Sequence, residues 1–398
     1  MRLVRRLKLK VNRECKDYLE FASEQCRLLY NFTLAEQLEY YKQTGKKLNM
    51  YEQKKKLPLL KQKYPNYAKV YNKCLQAIYF RVEDAYKRFF REKKGFPKFK
   101  RRGEFVSQEY PGENIKKVND YSFILPTGAS AEKNFIVKTY EQIPSEYKTV
   151  TIIKSSDGFY ACFIIEVEEK PIQDNGKVLA LDLGVKTLAV GITNEGEKVK
   201  VRKYSHKTRH LDKIRSKRDK CRRQSIRRKK WDKVFHREMD RYLNRVTDYL
   251  HKQSHELVNR DESTIVVGQL NLDQMKLKQA WFNRVLYNEW RVNKFEGMLE
   301  YKCKLEGKKL VRIDEQNTTK MCSRCGNLKQ DLTLKDRTYI CSNCGLIMDR
   351  DENSAVNILN KYEGMADAET GKVLKVPGLE LAGASNLNRL GVTTFDYI

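Results

Sequence analysis

At 398 residues the chain is long enough for two or three domains with separate cores, which excludes a single small binding module. Lys and Arg total 80 against 51 acidic residues, a formal charge of +29 that argues against a small-metabolite enzyme and for a polyanionic partner. No apolar run approaches the roughly 18 to 20 residues needed to span a bilayer, so nucleic acid is the expected polyanion and no membrane partner is expected.

The opening segment Met1–Lys10 alternates charged and apolar residues, which predicts a strand; it lacks the continuous apolar core of a signal peptide. From about 12 to 100 apolar residues recur at three- and four-residue steps, clearest in Tyr18–Tyr30 and Leu75–Phe90, and this period predicts helices. Gly95 and Pro97 should end the second of these, inside the basic, aromatic-laced segment Lys93–Arg102. Strand patterns then run from about 105 to 170. Phe135–Lys138, Val150–Lys154 and Phe159–Val167, with Asp157-Gly158 as a turn, predict hairpins of a small barrel.

A linker at Pro171–Gly176 leads to Lys177–Ile192. The run before Asp182 is apolar without alternation, as in a central strand buried on both faces, and Gly184 permits an immediate turn. Lys198–Lys230 is densely basic, a helix is expected to about Asn259, a strand at Ser263–Leu270, a helix near Leu286–Leu305 and a last strand at Lys309–Ile313. Beyond Lys361 the composition predicts a loose tail.

Of ten cysteines, six (Cys15, Cys26, Cys74, Cys162, Cys221 and Cys303) are scattered singly, which fits a reducing cytoplasm rather than a disulfide framework. The other four form a C-x2-C, x15, C-x2-C array. Cys322, Cys325, Cys341 and Cys344 at that spacing suit one tetrahedral zinc, held structurally in a ribbon. The cluster Asp349-Arg350-Asp351-Glu352-Asn353 follows, and its hard oxygens suit Mg2+ instead. Asp182 and Asp351 each have a plain structural reading: a turn cap, and the opening of a helix whose first turn Asn353 and Ser354 satisfy. Brought together they can hold metal ions for phosphodiester hydrolysis. In the basic run, Lys and Arg can neutralise phosphates, with Tyr204 and Trp231 as candidate stacking platforms; Phe96 and Phe99 read equally as core or platform.

Leu181-Asp182-Leu-Gly184, Ile265–Asn271, Asn317–Gly326 and Asp349–Ala355, with Tyr30–Leu34 and Gly95–Lys100 in the N-terminal half, together resemble the TnpB family, transposon-encoded proteins considered ancestral to type V CRISPR effectors. The resemblance covers nearly the whole chain. It implies an α+β multidomain fold: a wedge-type β-barrel (1–11 and 104–172) with an inserted helical recognition lobe (12–103), then a RuvC domain of RNase H-like α/β fold (173–317 and 346–362) with an inserted zinc ribbon (318–345) and a flexible tail (363–398). It further implies a cytoplasmic, nucleoid-acting, RNA-guided DNA endonuclease with catalytic Mg2+ and a guide RNA from the transposon end. Double-stranded target DNA would be read next to a short motif.

In the family the first and third RuvC carboxylates fall on Asp182 and Asp351, with Asp349 beside the latter. The second departs from the pattern. Where many relatives carry Glu-Asp, this chain has Gly268-Gln269, neither of which supplies an anionic ligand. Two outcomes follow: the carboxylate has moved to Glu315, or less favourably Asp314, after the neighbouring strand, or the protein is a nuclease-dead RNA-guided repressor. A third reading is a DNA-binding transposition accessory protein without a guide.

Overall fold

A computed structural model of the chain describes residues 1–92, 95–105, 107–204, 209–269, 291–333 and 336–370, in two compact units that divide after Glu168.

In the first unit, strand β1 (Arg2–Lys10) is followed by helix α1 (Arg13–Thr44), the short helices α2 (Met50–Lys55) and α3 (Leu57–Lys63), and α4 (Asn72–Glu92). Asn12 starts α1 by accepting a hydrogen bond from the Cys15 amide at 2.9 Å, and Gly45, at φ 66°, ends it in the left-handed conformation favoured at helix C-termini. One stripe of α1, Cys15–Leu19–Ala22–Cys26–Leu29, is buried, and α4 answers with Leu75, Ile78, Tyr79 and Val82. Strands β2 (Ser107–Pro111), β3 (Lys116–Asn119), β4 (Ser122–Leu125), β5 (Phe135–Thr139), β6 (Thr149–Ser155) and β7 (Gly158–Glu166) join β1 in a curled sheet of order β2-β6-β7-β1-β5-β4-β3. β1 is shared, pairing with β7 along Arg2–Lys8 and with β5 at Leu9 and Lys10. Helices and sheet close on one core through Leu7, Leu29, Tyr79, Phe123 and Phe163, each such side chain contributing about 1.5–3 kcal/mol on burial.

The second unit is built on β8 (Val178–Asp182), β9 (Thr187–Thr193), β10 (Lys198–Arg202), β11 (Thr264–Gln269) and β12 (Lys309–Asp314), in the order β10-β9-β8-β11-β12. β8, β9 and β10 form an antiparallel meander, while β11 runs parallel to both β8 and β12. All five residues of β8 are buried, as its unbroken apolar run predicts. One face of the sheet packs on α6 (Ile226–Val258) and α7 (Val292–Glu306), through Leu179, Leu181, Ile265 and Val267 against Val246, Leu250, Phe295 and Leu299. The other face packs Val178, Ala180, Val266 and Ile313 on Ile358 and Leu359 of α8 (Arg350–Thr370). The basic run is therefore not one element: it comprises β10, α5 (Arg209–Asp219) and the start of α6. α8 runs on to Thr370, beyond the point near Lys361 where the sequence suggested loose chain. The predicted helix start at Leu286 lies outside the described residues; α7 begins at Val292.

Among the described residues no helix is long and apolar enough to cross a membrane.

Candidate metal centres at the end of the second sheet

Alternation along a strand decides which side chains share a face. Val178 and Ala180 face α8, as do Val266 and Ile313. Asp182, Gly268 and Glu315 lie an even number of residues further along, so all three belong to that face at one end of the sheet. There α8 begins, with Asp351 in its first turn.

Asp182 is 8% exposed. Burial, and after it the charge of Asp351, pushes its carboxyl up to about 7, opposed by a hydrogen bond from the Ser354 hydroxyl and by Arg350. Glu315 is held up to about 8, first by burial and then by the charges of Asp182 and Asp314. Its Oε1 is buried with no hydrogen-bond partner. An unpaired buried carboxyl oxygen is costly, and an acid-only donor set suits a hard cation such as Mg2+.

Gly268 explains how Glu315 reaches this position. A Cβ on residue 268 would fall 2.0 Å from Glu315 Oε1, 2.3 Å from its Cγ and 2.5 Å from its Cδ. The Glu315 side chain thus fills the volume that any side chain at 268 would need. Gln269, the other residue of the departing pair, is exposed at the end of β11.

The structure separates the roles within the acidic cluster. Asp349 caps α8, its Oδ1 accepting from the amides of Asp351 at 2.8 Å and Glu352 at 3.3 Å. Asp351 is therefore spared for the site. Asn353 and Ser354, expected to satisfy the first turn, are buried and turn elsewhere: Asn353 Nδ2 donates to the Met321 carbonyl at 2.8 Å and its Oδ1 accepts from the Ser323 amide at 3.0 Å. Arg337 stands 4.0 Å from Asp351 with its Nε buried and unpaired, a cation beside the acids that no sequence pattern flagged.

The four cysteines converge as their spacing predicts. Cys322 and Cys344 Sγ are 3.6 Å apart, as are Cys325 and Cys341 Sγ, and all four lie within 4.8 Å of one another. Zn–S bonds of about 2.3 Å in a tetrahedron require sulfur separations of roughly 3.8 Å, so the quartet fits zinc. Both knuckles repeat one turn: Gly326 and Gly345, at φ 71° and 69°, return their amides to the carbonyls of Cys322 and Cys341. The hairpin of β13 (Thr338–Ile340) and β14 (Ile347–Asp349) closes the cluster over buried Tyr339. Among the described residues this is the only group of three or more possible ligands drawn so close; Asp182, Glu315 and Asp351 are spread more widely.

The basic segment presents Arg222, Arg223, Arg227, Lys229 and Lys230 to solvent. Of its aromatics, Trp231 lies under Lys217 at 5.2 Å. Tyr204, expected as a stacking platform, is half-buried and packs against Tyr242 and Tyr249 at the edge of the core. Phe96 packs edge-on against Tyr86 and Phe89 while remaining exposed, as does Phe99, so neither is core.

Comparison with known proteins bears on this arrangement. Residues 162–279 match the OrfB_IS605 family, described as "Probable transposase", and residues 293–358 match the Cas12f1-like TNB domain. Both matches fall mainly in the second unit, one to a transposon-type family and one to a Cas12f1-like domain. A Streptomyces pristinaespiralis protein named as a candidate RNA-guided DNA endonuclease is 28% identical over 292 residues, covering 72% of this chain and 70% of that protein. A mimivirus protein of Acanthamoeba polyphaga named TnpB-like is 35% identical over 142 residues, 34% of this chain and 26% of that one. The fold resembles a Cas12f1 chain solved with guide RNA and target DNA, at TM-score 0.56 and 14% identity over 87% of this chain and 83% of that one. In these matches the chain is similar to TnpB-like proteins and to relatives named as RNA-guided DNA endonucleases.

Proposed function

We propose that this chain is an RNA-guided, Mg2+-dependent DNA endonuclease whose second unit is a RuvC domain. The observation that carries the reading is the Glu315 side chain lying over Gly268 near buried Asp182. It returns a carboxylate to the strand end where the family pattern has one and this chain has Gly268-Gln269. The order β10-β9-β8-β11-β12, antiparallel through the first three strands in sequence and parallel thereafter, supports an RNase H-like assignment for 173–317 and 346–362. The ribbon at 318–345 would hold structural zinc on Cys322, Cys325, Cys341 and Cys344. The curled sheet (1–11 and 104–172) and the helices (12–103) would be the wedge and recognition parts.

Asp182, Glu315 and Asp351 would hold Mg2+, which when bound activates water and offsets charge on the leaving oxygen. The chain's own residues do the rest. Ser354 stands beside Asp182 and helps hold its carboxyl ionised, and Asp349 rather than Asp351 caps α8. The Arg337 guanidinium, 4.0 Å from Asp351, would offset negative charge at the site. A guide RNA from the transposon end would supply target sequence by base pairing, the protein reading backbone shape and a short flanking DNA motif. Arg222, Arg223 and Arg227 would neutralise phosphates of the guide or heteroduplex.

The test is to purify the protein with RNA transcribed from the element's end and measure cleavage of matched duplex DNA in Mg2+. Cleavage by the parent that is lost in Asp182→Ala and in Glu315→Ala supports the reading. Tight binding without cleavage by the parent indicates a nuclease-dead repressor, and absence of bound RNA indicates a guide-free DNA-binding protein.

A further inference from the structure

The three carboxylates are not anchored alike. Asp182 is the last residue of a five-residue central strand, and Asp351 sits in a capped helix, so sheet and helix hydrogen bonds fix their backbones. Glu315 follows β12, whose last paired residue is Asp314, and has no ladder partner of its own.

Its backbone is held from α8 instead. Lys361 Nζ donates to the carbonyls of Asp314 at 3.1 Å and Gln316 at 2.7 Å, the residues on either side of Glu315. One turn earlier, Asn357 Nδ2 donates to the carbonyls of Thr318 and Met321, both at 2.7 Å. Thr318 in turn donates to the Glu315 carbonyl from its amide at 3.1 Å and its hydroxyl at 2.9 Å. Ser354 lies 3.2 Å from the Thr318 hydroxyl and bonds Asp182. Asp351, Ser354, Asn357 and Lys361 follow at steps of three, three and four residues, which is one stripe of one helix.

Resting on the reading of Glu315 as a metal ligand, we propose that Lys361 is its positioning residue. By gripping the carbonyls on both sides, its ammonium fixes the turn from which the side chain reaches back over Gly268. A ligand at the end of a strand needs no such clamp, whereas one moved into the following turn does. The half-buried Lys361 head spends two of its three donors on these main-chain carbonyls, which holds it in one place beside the turn.

The test uses the guide-loaded protein and its Lys361→Met, Lys361→Arg and Glu315→Ala variants. Two quantities are read: the Mg2+ concentration at half-maximal cleavage, and the Mn2+ dissociation constant by paramagnetic resonance, with guide-loaded Asp182→Ala as the baseline for ions held by RNA. Expected is a rise of about tenfold or more in both for Lys361→Met, as for loss of a group that orients a ligand, with zinc content and guide binding unchanged and most of the effect recovered in Lys361→Arg. If Lys361→Met does not fold, Lys361→Gln, which keeps donors for the carbonyls without the charge, should show a smaller shift in the same direction. Parental metal dependence in the Lys361 variants, while Glu315→Ala impairs both readouts, overturns the proposal alone. Parental behaviour of Glu315→Ala overturns the reading of the site beneath it.

Discussion

Replacing Gly268 by alanine adds one methyl group at a position where the structure leaves no room for it. The new Cβ would meet Glu315 Oε1 at 2.0 Å, Cγ at 2.3 Å and Cδ at 2.5 Å. Ordinary contact between such atoms begins near 3.4 Å, so the carboxylate must retreat by about 1 Å or more, and misplacement on that scale costs on the order of 100-fold in rate. Stability should respond far less. The obstructing atoms are the end of a side chain that can swing away, so the loss should sit at or below the low end of the ~1–3 kcal/mol typical of overpacking. The assay is single-turnover cleavage of matched DNA by guide-loaded Gly268→Ala, alongside its melting temperature and DNA affinity. A large rate loss with near-parental melting and binding is expected. A parental rate would refute the claim that Glu315 acts through the space above Gly268.

Two further outcomes follow from the same geometry. Removing a cysteine, as in Cys341→Ser, should release about one zinc per chain and lower the melting temperature by roughly 2 to 4 °C for each kcal/mol of lost site stability; zinc content and calorimetry check this. Asp182 and Glu315 are acids whose folded values, about 7 and about 8, lie above those of unfolded carboxyls, so the folded state holds protons that the unfolded state has lost. Metal-free protein should therefore lose stability as pH rises from the ordinary carboxylate range through about 8, and added Mg2+ should raise the melting temperature more at about pH 8.5 than at about pH 6. Equal Mg2+ effects at the two pH values would contradict the site.

The parts legible in the sequence were those written in local patterns. Two knuckles of identical spacing, each followed by glycine, announced the cysteine cluster, and an apolar run ending in Asp182 announced a strand buried on both faces. The resemblance to the family, rather than any local pattern, pointed to Glu315, or less favourably Asp314, as the substitute for the carboxylate absent at Gly268-Gln269. What the sequence concealed depends on packing between distant segments. Gly268 reads as a loss until Glu315 is seen to occupy its space. Asn353 and Ser354 read as satisfying a helix's first turn and Lys361 as the edge of the tail, yet all three turn toward the segment 314–323, whose own pattern gives no sign of a partner. Tyr204 reads as a stacking platform because aromatic residues in basic runs often are; its half-buried packing in a cluster of three tyrosines could not be read from the sequence.

The most direct test of the central claim is to move the carboxylate back. Glu315→Ala removes the three atoms that a Cβ at 268 would strike, so adding Gly268→Glu to it returns an acid to the end of β11. Measured as cleavage of matched DNA in Mg2+, Glu315→Ala alone should be nearly inactive and the double variant should regain a substantial part of the parental rate. A double variant that folds, binds guide and target, and stays as inactive as Glu315→Ala would contradict the account.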